Sequence, residues 1–191
     1  KENLFIIQLI DIQKVKTIHL NKKYNKIDNG DYFLSVLEVL KKAGFSFNQG
    51  YKIKISGDIP INAGVSSSSA LVVAWIRFLL EIQDQEINDV QIGKWAYESE
   101  SSFFNQPGGI MDQYTIAQKG LLYINTQTTH TERLNPNIGS LVIAESGLAK
   151  QTLGVLQKAR SYSQSAIAAV LDKVPQFDIY SANESEYEEY L

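Results

Sequence analysis

Residues 60–71, Pro-Ile-Asn-Ala-Gly-Val-Ser-Ser-Ser-Ser-Ala-Leu, constrain this chain more than any other stretch. A strand-type run from Tyr51 to Ile55 leads into a turn punctuated by Pro60 and Gly64. Four serines, Ser66 to Ser69, then open an apolar helix through Ala70, Leu71, Val72, Val73, Ala74, Trp75 and Ile76. Small residues let backbone N–H groups approach a ligand closely, and the start of a helix leaves several of those donors unpaired. With the serine hydroxyls and the positive end of the helix dipole, they make an anion site. The structural alternative is a serine-rich N-cap on a core helix.

A length of 191 residues, with 44% hydrophobic and 20% charged, suits an ordinary soluble globular protein with one sizeable core. The net charge is −3 and the cations are scattered, which gives no electrostatic case for binding nucleic acid or membrane. Absence of cysteine excludes disulfides and thiolate metal sites. The longest apolar run, Ala70 to Ile76, is far short of a membrane span, and a cytoplasmic location is the expectation.

Along the chain, residues 3–21 read as one or two strands, and Asp28-Asn29-Gly30-Asp31 as a turn. Helical periodicity follows from Tyr32 to Lys42, closing at Gly44. A strand at 51–56 precedes the serine turn and its helix, roughly 67–82. Another helix is expected from Asp89 to Phe104, with Ile92, Trp95, Ala96 and Ser99 on one face. Leu121–Ile124 and Leu141–Ala144 read as short buried strands, and Gln151–Leu171 as a long helix. Strands and helices alternate without a repeated βαβ rhythm, which favours an α+β domain. One domain is expected over residues 1–172, with 173–191 an acidic tail or the start of a truncated further domain.

The serine loop lacks the Gly-Lys-Ser/Thr ending of a Walker loop, and the nearest cation downstream is Arg77. It must bind anions through amides, hydroxyls and the helix dipole. A second informative segment is Glu100 followed twelve positions later by Asp112, in Asn105-Gln106-Pro107-Gly108-Gly109-Ile110-Met111-Asp112-Gln113. Taken alone, Glu100 could be a surface carboxylate and Asp112 a helix N-cap. Neither histidine, His19 or His130, has partners that suggest catalysis, and no nucleophile elbow supports a serine hydrolase.

Together the two segments resemble the GHMP kinases (galactokinase, homoserine kinase, mevalonate kinase and phosphomevalonate kinase), with the galactokinase branch the nearest likeness. Pro60, Gly64, Ser67 and Ser68 match the family's phosphate loop in register, and Ser66, Ala70 and Leu71 add matches to the galactokinase form. Gly109 to Gln113 reproduces the family's Gly-Ile-Met-Asp-Gln. The resemblance implies the N-terminal-type domain of the GHMP kinase fold and a transfer of the γ-phosphoryl of Mg-ATP to a sugar hydroxyl. Asn62, Ala63, Gly64, Val65, Ser66, Ser67 and Ser68 would wrap the ATP phosphates. Ser68 and Glu100 would hold Mg²⁺, Asp112 would be the catalytic base, and Asp112 with Gly109 would face the sugar.

Departures from the pattern are Asn62 for Gly, Val65 for Leu and Ser69 for Ala, with Leu156 where galactokinases carry a sugar-contacting tyrosine ahead of Arg160. The family's N-terminal Arg-containing motif and its glycine-rich C-terminal motif have no counterpart here. These 191 residues are therefore expected to be inactive alone. A sugar- and ATP-binding sensor without turnover is the alternative reading.

Overall fold

A computed structural model of the chain describes residues 3–61, 63–144 and 152–185. It divides into two compact units, residues 1–150 and 151–191. In the first, β1 (Leu4–Leu9) pairs antiparallel with β2 (Lys14–His19) and parallel with β3 (Tyr51–Ile55), giving a sheet of order β2-β1-β3. The parallel step needs a crossover, which is supplied by α1 (Tyr32–Lys42). Four further elements are α2 (Ser67–Glu81), α3 (Asp89–Glu100), α4 (Met111–Gln118) and a single 3₁₀ turn at Ser102–Phe104 between the last two. A separate hairpin pairs β4 (Leu121–Ile124) with β5 (Thr131–Leu134). The result is the α+β arrangement expected from the sequence.

Alternation in β1 sends Phe5 and Ile7 fully into the core, where the apolar faces of α1 and α2 meet them. Trp75 of α2 is the hub. Its ring lies edge-on to Phe5 and Phe33, with centroids 5.6 and 5.3 Å away, and stacks on Phe78 at 5.3 Å. Its indole N–H donates to the Phe33 carbonyl at 3.3 Å.

Side chains cap both α1 and α3. Asp31 Oδ1 accepts from Leu34 N–H at 3.3 Å, and Asn88 Oδ1 accepts from Gln91 N–H at 2.8 Å. Past the end of α1, Gly44 takes a left-handed φ of 99°, which ends the helix where a side chain would be strained.

Two sequence expectations are corrected here. The Leu141–Ala144 run forms no strand and is exposed, with Val142 92% accessible. Its apolar character reads as burial, but no described strand lies beside it to accept its backbone. The expected helix from Asp89 to Phe104 stops at Glu100, and Ser102–Phe104 tightens into the 3₁₀ turn.

The second unit is built around α5 (Thr152–Lys173), which the sequence reading places in the first domain. Leu156 and Arg160 lie on this helix and are exposed. No helix among the described residues is long and apolar enough to cross a membrane.

Candidate active site

The serine loop ends in an uncapped helix. Ser66 occupies the N-cap position of α2 in a left-handed conformation, φ 58° and ψ 37°, and its side chain makes no capping bond. Gly64 is left-handed too, at φ 82°. The first intrahelical bond is Ala70 N–H to the Ser66 carbonyl at 3.0 Å. From Ala63 to Ser69 no backbone N–H donates to an acceptor among the described residues. The serine cap that the sequence allows is therefore not formed.

Burial explains how α2 tolerates this. Val72, Val73, Trp75, Ile76, Leu79 and Leu80 are all buried, and each such side chain contributes about 1.5–3 kcal/mol. A missing cap costs about 1 kcal/mol, so packing fixes the helix and leaves its first amides free for an anion.

Beneath the loop lies a buried polar cluster. Ser69 Oγ donates to Glu100 Oε2 at 2.7 Å, and Gln113 Nε2 donates to the same oxygen at 2.7 Å. Gln113 Nε2 also approaches Ser69 Oγ at 3.4 Å. All three residues are buried, and they come from α2, the end of α3 and the start of α4. Gln113 Oε1 is buried with no partner among the described residues, at a cost of about 1–3 kcal/mol for such an atom. Of these three, Ser69 and Gln113 are absent from the roles read off the sequence. One signal was present: Ser69 shares the 3.6-residue stripe of Val72, Val73 and Ile76, so a serine there needs a buried partner.

Asp112 lies in the first turn of α4, one residue before Gln113, and is half-buried. The helix N-cap is Ile110, so Asp112 does not cap it. Its carboxylate has no hydrogen bond or ion pair with any described residue. The turn before it is shaped by Gly108, where an added Cβ would come within 2.9 Å of Ser101 Oγ; a Cβ on Gly109 would meet nothing within 4 Å. Tyr32, at the start of α1, has its phenol pushed above the ordinary value by burial and, second, by the nearby Glu100 carboxylate.

Of the phosphate-loop residues named from sequence, Ala63 and Gly64 are exposed, and Val65, Ser66, Ser67 and Ser68 are half-buried. Asn62 lies outside the described residues. Arg77 faces away from phosphate work: its Nη2 donates to Asp89 Oδ1 at 2.6 Å and to the Ala117 carbonyl at 2.8 Å. A broad depression lined by Arg77, Leu80, Glu81 and Asp84 lies at the opposite end of α2. Its carboxylate rim is unsuited to phosphate.

The donors around Glu100 suit Mg²⁺. Oε2 is occupied by two donors, whereas Oε1 has no partner among the described residues and is not sealed from solvent. The Ser68 hydroxyl is also unbonded there. No group of three His, Cys, Asp or Glu side chains gathers among the described residues. Mg²⁺ needs no such cage, because it takes one or two protein oxygens and keeps several waters.

Comparison with known proteins places the fold. Residues 31–120 match the family described as GHMP kinases N terminal domain. The galactokinase of Pyrococcus furiosus is 30% identical over 125 residues, covering 63% of this chain and 35% of that protein. The galactokinase of Clostridium acetobutylicum is 29% identical over 174 residues, covering 88% of this chain and 45% of that protein. The chain thus spans less than half the length of these relatives. Among solved structures, Methanococcus jannaschii mevalonate kinase superposes with a TM-score of 0.60 at 26% identity, over 71% of this chain and 44% of that one. Lactococcus lactis galactokinase, solved with galactose, gives 0.73 at 16% identity over 99% of this chain and 51% of that one, a likeness of fold. Residues 31–120, where the serine loop, Glu100 and Asp112 all lie, match the GHMP kinase N-terminal domain, and the chain has that domain's fold.

Proposed function

We propose that this chain is the phosphate-binding and catalytic part of a galactokinase-type sugar kinase, which transfers the γ-phosphoryl of ATP to a sugar hydroxyl. The free amides from Ala63 to Ser69 cradle the phosphates at the positive end of α2. Mg²⁺, when bound through Ser68 and Glu100, neutralises phosphate charge. Asp112 orients the acceptor hydroxyl and takes its proton, while Gly109 leaves room for the sugar.

The observation that carries this reading is the state of Asp112. A half-buried carboxylate without an ion pair or hydrogen bond among the described residues lies next to Gln113, which grips Glu100. An unpaired carboxylate in a helix's first turn is available to accept a substrate proton. The relatives named galactokinase support a sugar as the acceptor.

The test follows ADP release by the full-length protein with Mg-ATP and a panel of free sugars. The panel holds galactose, arabinose, fucose, glucose, mannose and heptoses, and Asp112→Asn is run alongside. Turnover on one sugar, reduced at least about 100-fold in the variant, is expected. Undiminished turnover in Asp112→Asn would sink the mechanism. Nucleotide and sugar binding without ADP release would instead favour a sensor, a reading that Leu156 in place of the family's tyrosine already motivates.

A further inference from the structure

We infer that Ser69 and Gln113 are positioning residues for Glu100, fixing which of its oxygens faces a divalent cation; the inference rests on the kinase reading above. Both donors converge on Oε2, at 2.7 Å each, so the carboxylate cannot rotate without breaking two buried hydrogen bonds. Oε1 is left as the only oxygen free for a cation. The arrangement turns the Ser69 departure into a gain, since the family's alanine at that position has no hydroxyl to offer.

The orphaned oxygen of Gln113 supports the same conclusion. A carboxylate only accepts, so the amide must present Nε2 to Glu100, and a flip would set Oε1 against Oε2. Gln113 Oε1 is consequently buried, with no partner among the described residues. Sequences selected for stability alone avoid such atoms. An amide held in this orientation by Glu100 holds Glu100 in return. Because Gln113 follows Asp112 directly on α4, the same contact ties the turn bearing Asp112 to the cation-facing carboxylate.

The test titrates Mn²⁺ into the full-length protein with a non-hydrolysable ATP analogue, read by water-proton relaxation. Variants are Ser69→Ala, Gln113→Met, Glu100→Ala and Ser99→Ala. Ser99 is a buried serine one residue from Glu100 that bonds the Trp95 carbonyl instead, at 2.7 Å, and so controls for general loosening of α3. Ser69→Ala and Gln113→Met are expected to weaken Mn²⁺ binding about tenfold, with Ser99→Ala near wild type. Wild-type affinity in Ser69→Ala, where Glu100→Ala has lost the ion, would overturn the positioning role and leave the kinase reading standing. Equal losses in Ser69→Ala and Ser99→Ala would overturn it as well. Failure of the wild-type protein to bind Mn²⁺ with the nucleotide would take down both.

Discussion

Ser69 Oγ and Glu100 Oε2 are 31 residues apart in sequence and meet at 2.7 Å in the interior of the helix layer. The bond joins the start of α2 to the end of α3, and Gln113 closes the cluster from α4. Removing the acceptor strands two buried donors. Glu100→Ala is expected to cost about 2–5 kcal/mol of unfolding free energy, since each unsatisfied buried group costs about 1–3 kcal/mol. In a double-mutant cycle with Ser69→Ala, the pair should cost at least about 1 kcal/mol less than the sum of the singles. Strict additivity in urea unfolding would mean that the bond contributes nothing.

Helix caps offer a direct contrast. Asn88 makes a capping bond and Ser66, at the equivalent place on α2, makes none. Asn88→Ala should therefore lose about 1 kcal/mol, and Ser66→Ala less than about 0.5 kcal/mol. Equal losses in thermal melts would indicate a cap at Ser66 after all.

Tyr32 predicts a pH dependence with a definite sign. Its folded pKa is raised above the ordinary 10.0, by burial first and by Glu100 second. The folded state therefore holds this proton when the unfolded chain has released it. The contribution is fully present below pH 10.0 and is lost as pH rises from there through the folded value. Wild type should lose thermal stability faster than Tyr32→Phe above pH 10.0, and parallel curves would contradict the assignment.

Gly93 lies where α3 packs tightly on α4. A Cβ built there would lie 3.1 Å from the Tyr114 Cα and 3.3 Å from its ring. Gly93→Val is expected to destabilise the protein by about 1–3 kcal/mol through overpacking. Because α4 carries Asp112 and Gln113, Mn²⁺ binding should weaken in parallel; a stable variant with unchanged binding would show that the crossing can yield.

Much of the fold was legible in local chemistry. Gly44 was read as the end of the first helix and takes a left-handed φ there, and residues 3–21, read as one or two strands, form β1 and β2. Three features were not legible, for different reasons. The run Leu141–Ala144 is apolar, but apolarity says nothing about whether a neighbouring strand exists. Strand β5, Glu132 and Arg133 among its residues, is largely exposed and carries no alternation to read. The partner of Glu100 depends on how α2 packs against α3, so its identity as Ser69 emerges only from tertiary contacts. The stretch from Gly109 to Gln113 was legible as a motif; that its two polar residues divide, Gln113 inward and paired, Asp112 unpaired, required the structure.

The uncovered Leu141–Ile143 run has a consequence for handling the protein. Three large aliphatic side chains in a row, two of them β-branched and all more than three-quarters accessible, offer an adhesive ribbon to any second chain in extended conformation. Whenever that ribbon is left bare, solubility will be limited by concentration rather than by folding. Precipitates formed on concentrating the protein should then contain intact native domains glued through this one segment.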